Sequence, residues 1–133
     1  YSDAMALKEE FGDPPFYAVV GNTDNPEDGN VEERIDLYGN RLLLTHGHIQ
    51  QTSESRDGIR NLFSNAVEKN ANIILFGHTH EPYLNWCNGI WVMNPGRIGR
   101  KSEMNYHTKY GSATYGVLHL EKDCVDWKIT EVL

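Results

Sequence analysis

Three short apolar runs, each ending in a polar loop, constrain the fold of this chain more than any other feature. The runs have the sequences YAVV, RLLL and NIILF, at residues 17–20, 41–44 and 72–76. Each is followed by a glycine-containing loop, at residues 21–24, 45–48 and 77–80. Apolar runs of this length bounded by turn formers indicate buried strands. Strands that alternate with helical segments predict an α/β layered domain.

The rest of the chain provides the other layers of such a domain. Helical spacing of apolar residues predicts one helix over residues 3–11, stopped by Gly12, and a second within residues 55–70. Hairpins are predicted at residues 33–45 and 83–93, the second turning at Asn88-Gly89. The alternating tail, residues 113–132, predicts two further strands.

Composition excludes several classes of protein. A chain of 133 residues suits one domain, spanning residues 1–133. The formal net charge of −7 argues against nucleic acid or an anionic membrane as a partner. No apolar run approaches the roughly 18 residues of a membrane span. Cys87 and Cys124 form no CxxC pair, so we expect reduced, half-buried thiols and a cytoplasmic location.

The loops after the apolar runs carry residue types that bind metal ions. They contain Asn22, Asp24, His46, His48, His78 and His80. Because ligands of open α/β sheets bind outside the carboxyl ends of the strands, these loops are expected to converge. Imidazole suits Zn, Mn, Fe or Ni, and amide or carboxylate oxygen fills harder positions. A single histidine at a strand end is usually a surface residue, whereas three such loops favour a metal site.

Two other histidines lack this context. His119 alternates with core positions in a predicted strand and is interpreted as structural, while His107 lies in a polar loop and is left open.

The motifs GNTD, THGH, GHTH and NPG, in this order, resemble those of the calcineurin-like metallophosphoesterases. The chain looks most like the small YfcE-type phosphodiesterases of that family, over nearly its whole length. The resemblance implies a β-sandwich flanked by helices with a dinuclear metal site. It implies that Asn22, His46 and His78 bind one ion and His80 the other. Asp24 would orient a ligand or the neighbours of the water nucleophile.

The same resemblance implies a mechanism and a substrate class. Two divalent ions (Mn, Fe, Ni or Zn) would hold a bridging hydroxide that attacks a small phosphodiester, with Asn22, Asp24, His46 and His78 as catalytic residues. His48 would contact substrate or support a ligand, or be structural. The loop NPGRIGRK supplies Asn94, Arg97 and Arg100 as candidate substrate contacts, or it is a solvated basic loop.

The chain departs from the family pattern in ways that bear on activity. The Asp-x-His and Gly-Asp motifs of the family are absent, since the one Gly-Asp pair, Gly12-Asp13, follows a helix and is interpreted as a turn. In addition, Thr23 stands where larger members of the family have a histidine. We therefore expect a fold whose N-terminal βαβ portion is missing. This chain alone should bind metal weakly, hydrolyse little and pair as a homo-oligomer. A non-catalytic Vps29-like interaction scaffold is the alternative, and a simple histidine-rich metal-binding domain is a weaker one.

Overall fold

A computed structural model describes residues 1–12, 15–50, 57–98 and 113–132 of the chain. Within them lie two helices and seven strands in the following order: α1 (Ser2–Phe11), β1 (Glu32–Leu37), β2 (Asn40–Thr45), α2 (Gly58–Glu68), β3 (Ile73–Leu75), β4 (Pro82–Cys87), β5 (Ile90–Pro95), β6 (Ala113–Glu121) and β7 (Cys124–Val132). The predicted second helix, both predicted hairpins and the two predicted C-terminal strands are confirmed. None of the described helices is long and apolar enough to cross a membrane.

Five strands form one sheet in the order β1-β2-β3-β5-β4. The three central strands run parallel, and the hairpin partners β1 and β4 add antiparallel edges. The central strands therefore end at a common edge of the sheet. Helix α2 covers one face, where Leu62 and Ala66 pack against Leu43, Ile74 and Val92, all of them fully buried.

The β6–β7 hairpin forms a second, two-stranded layer on the opposite face of the sheet. Leu118 and Trp127 of this hairpin pack on a core that includes Ile73 and Met93. Gly116 allows this packing, because a Cβ there would lie 2.1 Å from Cη2 of Trp127. The mixed α/β architecture, with two sheets face to face and helical cover, confirms the predicted fold class.

A cavity of about 390 Å³ lies between the two layers. Its walls are mostly apolar and include Val19, Leu44, Phe76 and Trp127, while His46 lies at its polar side. The indole Nε1 of Trp127 is buried without a hydrogen-bond partner in the described part of the chain.

One prediction about the N-terminal region needs correction, and another is confirmed. Residues 17–20 are not a strand, although Val20 is buried and its N–H donates to the carbonyl of Asn30 at 2.9 Å. No neighbouring strand among the described residues pairs with this segment. Helix α1 forms as predicted and ends at Gly12 (φ 41°), but it buries none of its residues, and Leu7 and Phe11 are exposed.

Two side chains are more exposed than the sequence suggested. Cys87 and Cys124 are free thiols, as expected, but both are exposed rather than half-buried. His119, which alternates with core positions, faces outward on β6 opposite Asp126 on β7 and is 62% exposed. His107 and Asp13 lie outside the described residues.

Candidate metal and phosphate site

The histidine loops lie side by side because they follow neighbouring parallel strands. His46 and His48 come directly after β2, and His78 and His80 come after β3. The N–H of Gly77 donates to the carbonyl oxygen of His46 at 2.9 Å, so a main-chain hydrogen bond fixes the spacing of the two loops. The convergence predicted from the sequence is therefore present in the structure for these two loops.

Three imidazole rings form a cluster at this edge. The ring centroids of His46 and His78 are 4.9 Å apart, those of His46 and His48 are 5.3 Å apart, and those of His48 and His78 are 6.4 Å apart. The Nδ1 atoms of His46 and His48 are buried without a hydrogen-bond partner among the described residues. Buried polar atoms of this kind call for an explanation, and a bound ion is one.

The third predicted loop supports the central ring of this cluster. The main chain turns at residues 21–24, with the N–H of Asp24 donating to the carbonyl of Gly21 at 3.2 Å. A Cβ at Gly21 would lie 2.9 Å from Cδ2 of His46, so only glycine lets the imidazole lie against this turn. The predicted GNTD loop therefore meets His46 directly.

Asp24 is oriented by main-chain donors. Its Oδ2 accepts from the N–H of Gly21 at 2.7 Å, and its Oδ1 accepts from the main-chain nitrogen of Tyr1 at 3.0 Å. These hydrogen bonds, the one from Gly21 first, lower the pKa of the Asp24 carboxyl. Asp24 thus stays ionised and acts electrostatically on His46.

His46 is held as a neutral imidazole. Burial lowers its pKa from the ordinary 6.5 to about 4, and the nearby His48, His78 and His80 act in the same direction, while Asp24 opposes them. A neutral imidazole has a free lone pair at physiological pH, which is the form that binds a metal ion. The lowered pKa is thus compatible with a ligand role for His46.

The loop after β3 has an unusual backbone. His78 and His80 both have positive φ angles, of 67° and 64°, and the N–H of Thr79 donates to the carbonyl of Gly77 at 2.7 Å. Non-glycine residues in this region cost free energy and persist where surrounding contacts enforce them.

The enforcing contacts come from Asn94, which is fully buried. Its Nδ2 donates to the carbonyl of Gly77 at 3.1 Å and to Oγ1 of Thr79 at 3.0 Å, while its Oδ1 accepts from the N–H of Gly96 at 2.9 Å. Asn94 was predicted to contact substrate. In the described structure its amide is enclosed and holds the histidine loop, and the substrate contact stays a prediction. Thr79 was not predicted, and nothing in the sequence distinguished its hydroxyl.

The remaining predicted residues have different surroundings. Asn22 and His80 are exposed, so both can reach a ligand from solvent. Arg97 is partly buried at the end of the loop that follows β5. Arg100 lies outside the described residues.

The side chains at this edge could supply part of the ligand set of a divalent metal site. Imidazole and amide groups suit Mn, Fe, Ni or Zn, and the buried Nδ1 atoms of His46 and His48 are available donors. However, no group of three or more histidine, cysteine, aspartate or glutamate side chains in the described ranges is already arranged to hold an ion. The carboxylate nearest this cluster, that of Asp24, already accepts two main-chain hydrogen bonds.

A mixed sheet with imidazoles gathered at its carboxyl edge and a second β layer behind it defines a two-layered α/β domain with a histidine cluster at one edge. The family model described as the calcineurin-like phosphoesterase superfamily domain matches residues 2–123, so the chain belongs to that superfamily.

Relatives of known sequence agree with this membership. The chain is 29% identical over 113 residues to the probable metallophosphoesterase YsnB of Bacillus subtilis, covering 82% of this chain and 59% of that protein. It is 29% identical over 96 residues to the probable metallophosphoesterase MG207 of Mycoplasma genitalium, covering 72% and 58%. The chain therefore spans less than two thirds of the length of these relatives.

Solved structures share the fold. A conserved uncharacterized protein of Streptococcus pneumoniae, described as a predicted phosphoesterase, superposes with a TM-score of 0.72 at 22% identity, covering 85% of this chain and 60% of that one. Vps29 of Entamoeba histolytica, in a structure complexed with Zn²⁺, superposes with a TM-score of 0.63 at 18% identity, covering 85% and 67%.

Proposed function

We propose that this chain carries the histidine-rich part of a metal-dependent phosphodiesterase. The observation that supports it most is the cluster of His46, His48 and His78 at the common end of the parallel strands, with His46 lying against the Gly21 turn. Membership of the phosphoesterase superfamily supports hydrolase chemistry in general. We further propose a small-molecule phosphodiester as substrate and the cytoplasm as location.

Each side chain of the site would have a defined part in this function. Asn22, His46 and His78 would hold one divalent ion, and the exposed His80 would bind a second. The ions, when bound, would neutralise phosphoryl charge and lower the pKa of a water nucleophile. Asp24 would keep its charge beside His46, favouring cation binding there. His48, whose ring is 5.3 Å from that of His46, would contact a phosphoryl oxygen of the substrate.

The basic loop after β5 would complete the substrate site. Arg97 and Arg100 would pair with the non-bridging phosphate oxygens, for which guanidinium geometry is suited.

Calorimetric titration of the chelator-treated chain with Mn²⁺ or Zn²⁺ tests the metal site. We expect weak binding, because the clustered ligands are neutral, and we expect His46→Ala and His78→Ala to abolish it. His119→Ala is the matched control, since this exposed imidazole lies on the hairpin. Tight binding of two ions per chain would contradict the expectation of a weak site, and unchanged binding in both cluster variants would rule out this site.

Hydrolysis of bis(p-nitrophenyl) phosphate, compared with p-nitrophenyl phosphate, tests the substrate class. We expect low but metal-dependent turnover that prefers the diester. Arg97→Ala should raise KM for the diester without the same change in kcat, while Arg34→Ala, an exposed change on β1, should leave both constants unaltered. A preference for the monoester would exclude the diesterase assignment.

A second candidate function is a non-catalytic interaction scaffold. Several Vps29 structures superpose on the chain, with TM-scores of 0.63–0.64, which supports a shared fold. Zn²⁺ bound without any metal-dependent hydrolysis of either nitrophenyl ester would favour this alternative.

A further inference from the structure

At the outer edge of the five-stranded sheet, β4 has hydrogen-bonding groups with no strand beside them among the described residues. In β5, the N–H of Trp91 donates to Asn72 and the carbonyl of Met93 accepts from Phe76, so both residues direct their main chain toward β3. Alternate residues of β5 therefore direct theirs toward β4. With the observed pairing of Asn85 to Val92, the N–H and C=O groups of Leu84 and Trp86 point to the open side.

The same two residues present large apolar side chains. Leu84 is 50% exposed and Trp86 is 56% exposed. They lie on the same face of β4, two residues apart, and the Trp86 ring lies 6.3 Å from that of Trp91. An open edge with exposed apolar side chains is a template for pairing with another chain.

Charge distinguishes β4 from the other edges. Among the described edge strands, β4 alone has no Asp, Glu, Lys or Arg: its sequence is PYLNWC, whereas β1 at the opposite edge of the sheet reads EERIDL. Charged side chains are a usual protection against edge-to-edge pairing. Only Pro82, at the start of the strand, offers comparable protection on β4.

We propose that β4 is a homodimer interface, at which two copies of the chain pair their β4 strands antiparallel about a twofold axis through Asn85. In this register, Leu84 of each copy is opposite Trp86 of the other. Their outward N–H and C=O groups then form two reciprocal pairs of hydrogen bonds. On one face of the joined sheet, two Leu–Trp cross-strand pairs come together.

A second copy is the favoured occupant because the strand is complementary to itself. The register matches both outward-facing residues, leaves no charge at the interface and places the small amides of Asn85 at the crowded centre. This inference does not depend on the proposed enzyme function, since the metal cluster contributes no residue to it.

Sedimentation of the full 133-residue chain, over protein concentrations up to about 0.2 mM, measures the association. We expect a monomer–dimer equilibrium whose dissociation constant rises at least about tenfold in Leu84→Lys, since each dimer then buries two like charges. Leu37→Lys is the matched control, because Leu37 is a similarly exposed leucine on the other edge strand, and it should leave the constant unchanged. A monomer at all concentrations, or equal effects of the two variants, would overturn the proposal.

Cross-linking tests the register directly. In a Cys87→Ser, Cys124→Ser background, Asn85→Cys would place two thiols across a non-hydrogen-bonded pair, about 4.5 Å apart at Cα, which allows a disulfide. Oxidation should give covalent dimer much faster than for Arg34→Cys, the control on β1. Equal rates for the two variants would refute pairing through β4.

Discussion

Replacing Asn94 with alanine should lower the free energy of unfolding by about 3 kcal/mol and release the loop that carries His78 and His80. The amide makes three hydrogen bonds in a fully buried position, at 3.1, 3.0 and 2.9 Å. Each is worth about 1 kcal/mol net, and the groups left unpaired after truncation cost more. The positive φ angles of the loop would then lose the contacts that enforce them.

Urea unfolding followed by tryptophan fluorescence, at neutral pH with chelator, measures the loss. Asn30→Ala is the control, because that exposed side chain donates to Oε1 of Glu33 at 2.8 Å and should cost less than about 0.5 kcal/mol. Amide hydrogen exchange at Thr79 should accelerate in Asn94→Ala alone. A loss below about 1 kcal/mol with unchanged exchange would refute the assigned positioning function of Asn94.

Three further perturbations test other parts of the structure. In chelator, the free energy of unfolding should fall by about 1–2 kcal/mol between pH 6.5 and pH 4, because the unfolded chain binds more protons than the folded chain in this window. This figure takes the lowering of the His46 pKa to about 4 and discounts it for the partial exposure of the ring. In urea unfolding, His46→Gln should show a smaller dependence of the unfolding free energy on pH, and an equal dependence would contradict the assignment. Gly116→Ala should lower the free energy of unfolding by about 1–3 kcal/mol, because the added Cβ displaces Trp127. The fluorescence emission maximum of the folded protein should shift as well. A variant with an unshifted maximum and unchanged stability would argue against the contact. Leu62→Ala should cost about 2–5 kcal/mol in the same unfolding assay, while Val67→Ala, exposed on the same helix, should be nearly neutral, so similar losses would contradict the described burial.

The sequence correctly predicted the turns and helices that are determined by residues close together in the chain. The hairpin at Asn88-Gly89 is confirmed, since both residues adopt the positive φ angles that this turn requires. Helix α2 follows the apolar spacing, with Leu62 and Ala66 buried as expected. These predictions succeeded because neighbouring residues in the chain decide them.

Predictions that depend on contacts between distant parts of the chain were less accurate. Residues 17–20 are apolar enough for a strand, but a strand also needs a neighbour to pair with, and apolar content does not specify one. Helix α1 forms where the apolar spacing predicts it, yet Leu7 and Phe11 are exposed, because helical spacing does not specify a surface that covers the helix.

The convergence of the histidine loops was predictable from the sequence, whereas the surroundings of each side chain were not. The strand-end rule brought His46 and His78 together correctly, because β2 and β3 are parallel neighbours. The sequence could not show that Asn94 is enclosed, since an amide that holds a loop and one that binds a substrate are the same residue type. That distinction depends on burial, which here follows from the packing of the loops after β3 and β5.

The hydrogen bond from Gly77 to the carbonyl of His46 has a consequence for protein engineering. It joins the two histidine loops through the main chain, so this link does not itself depend on which side chains occupy positions 46 and 78. We therefore expect cysteine or aspartate at either position to leave the loops joined and to alter which ion a site there would select. The backbone would then fix the spacing of the two loops, and the side chains would decide the ion.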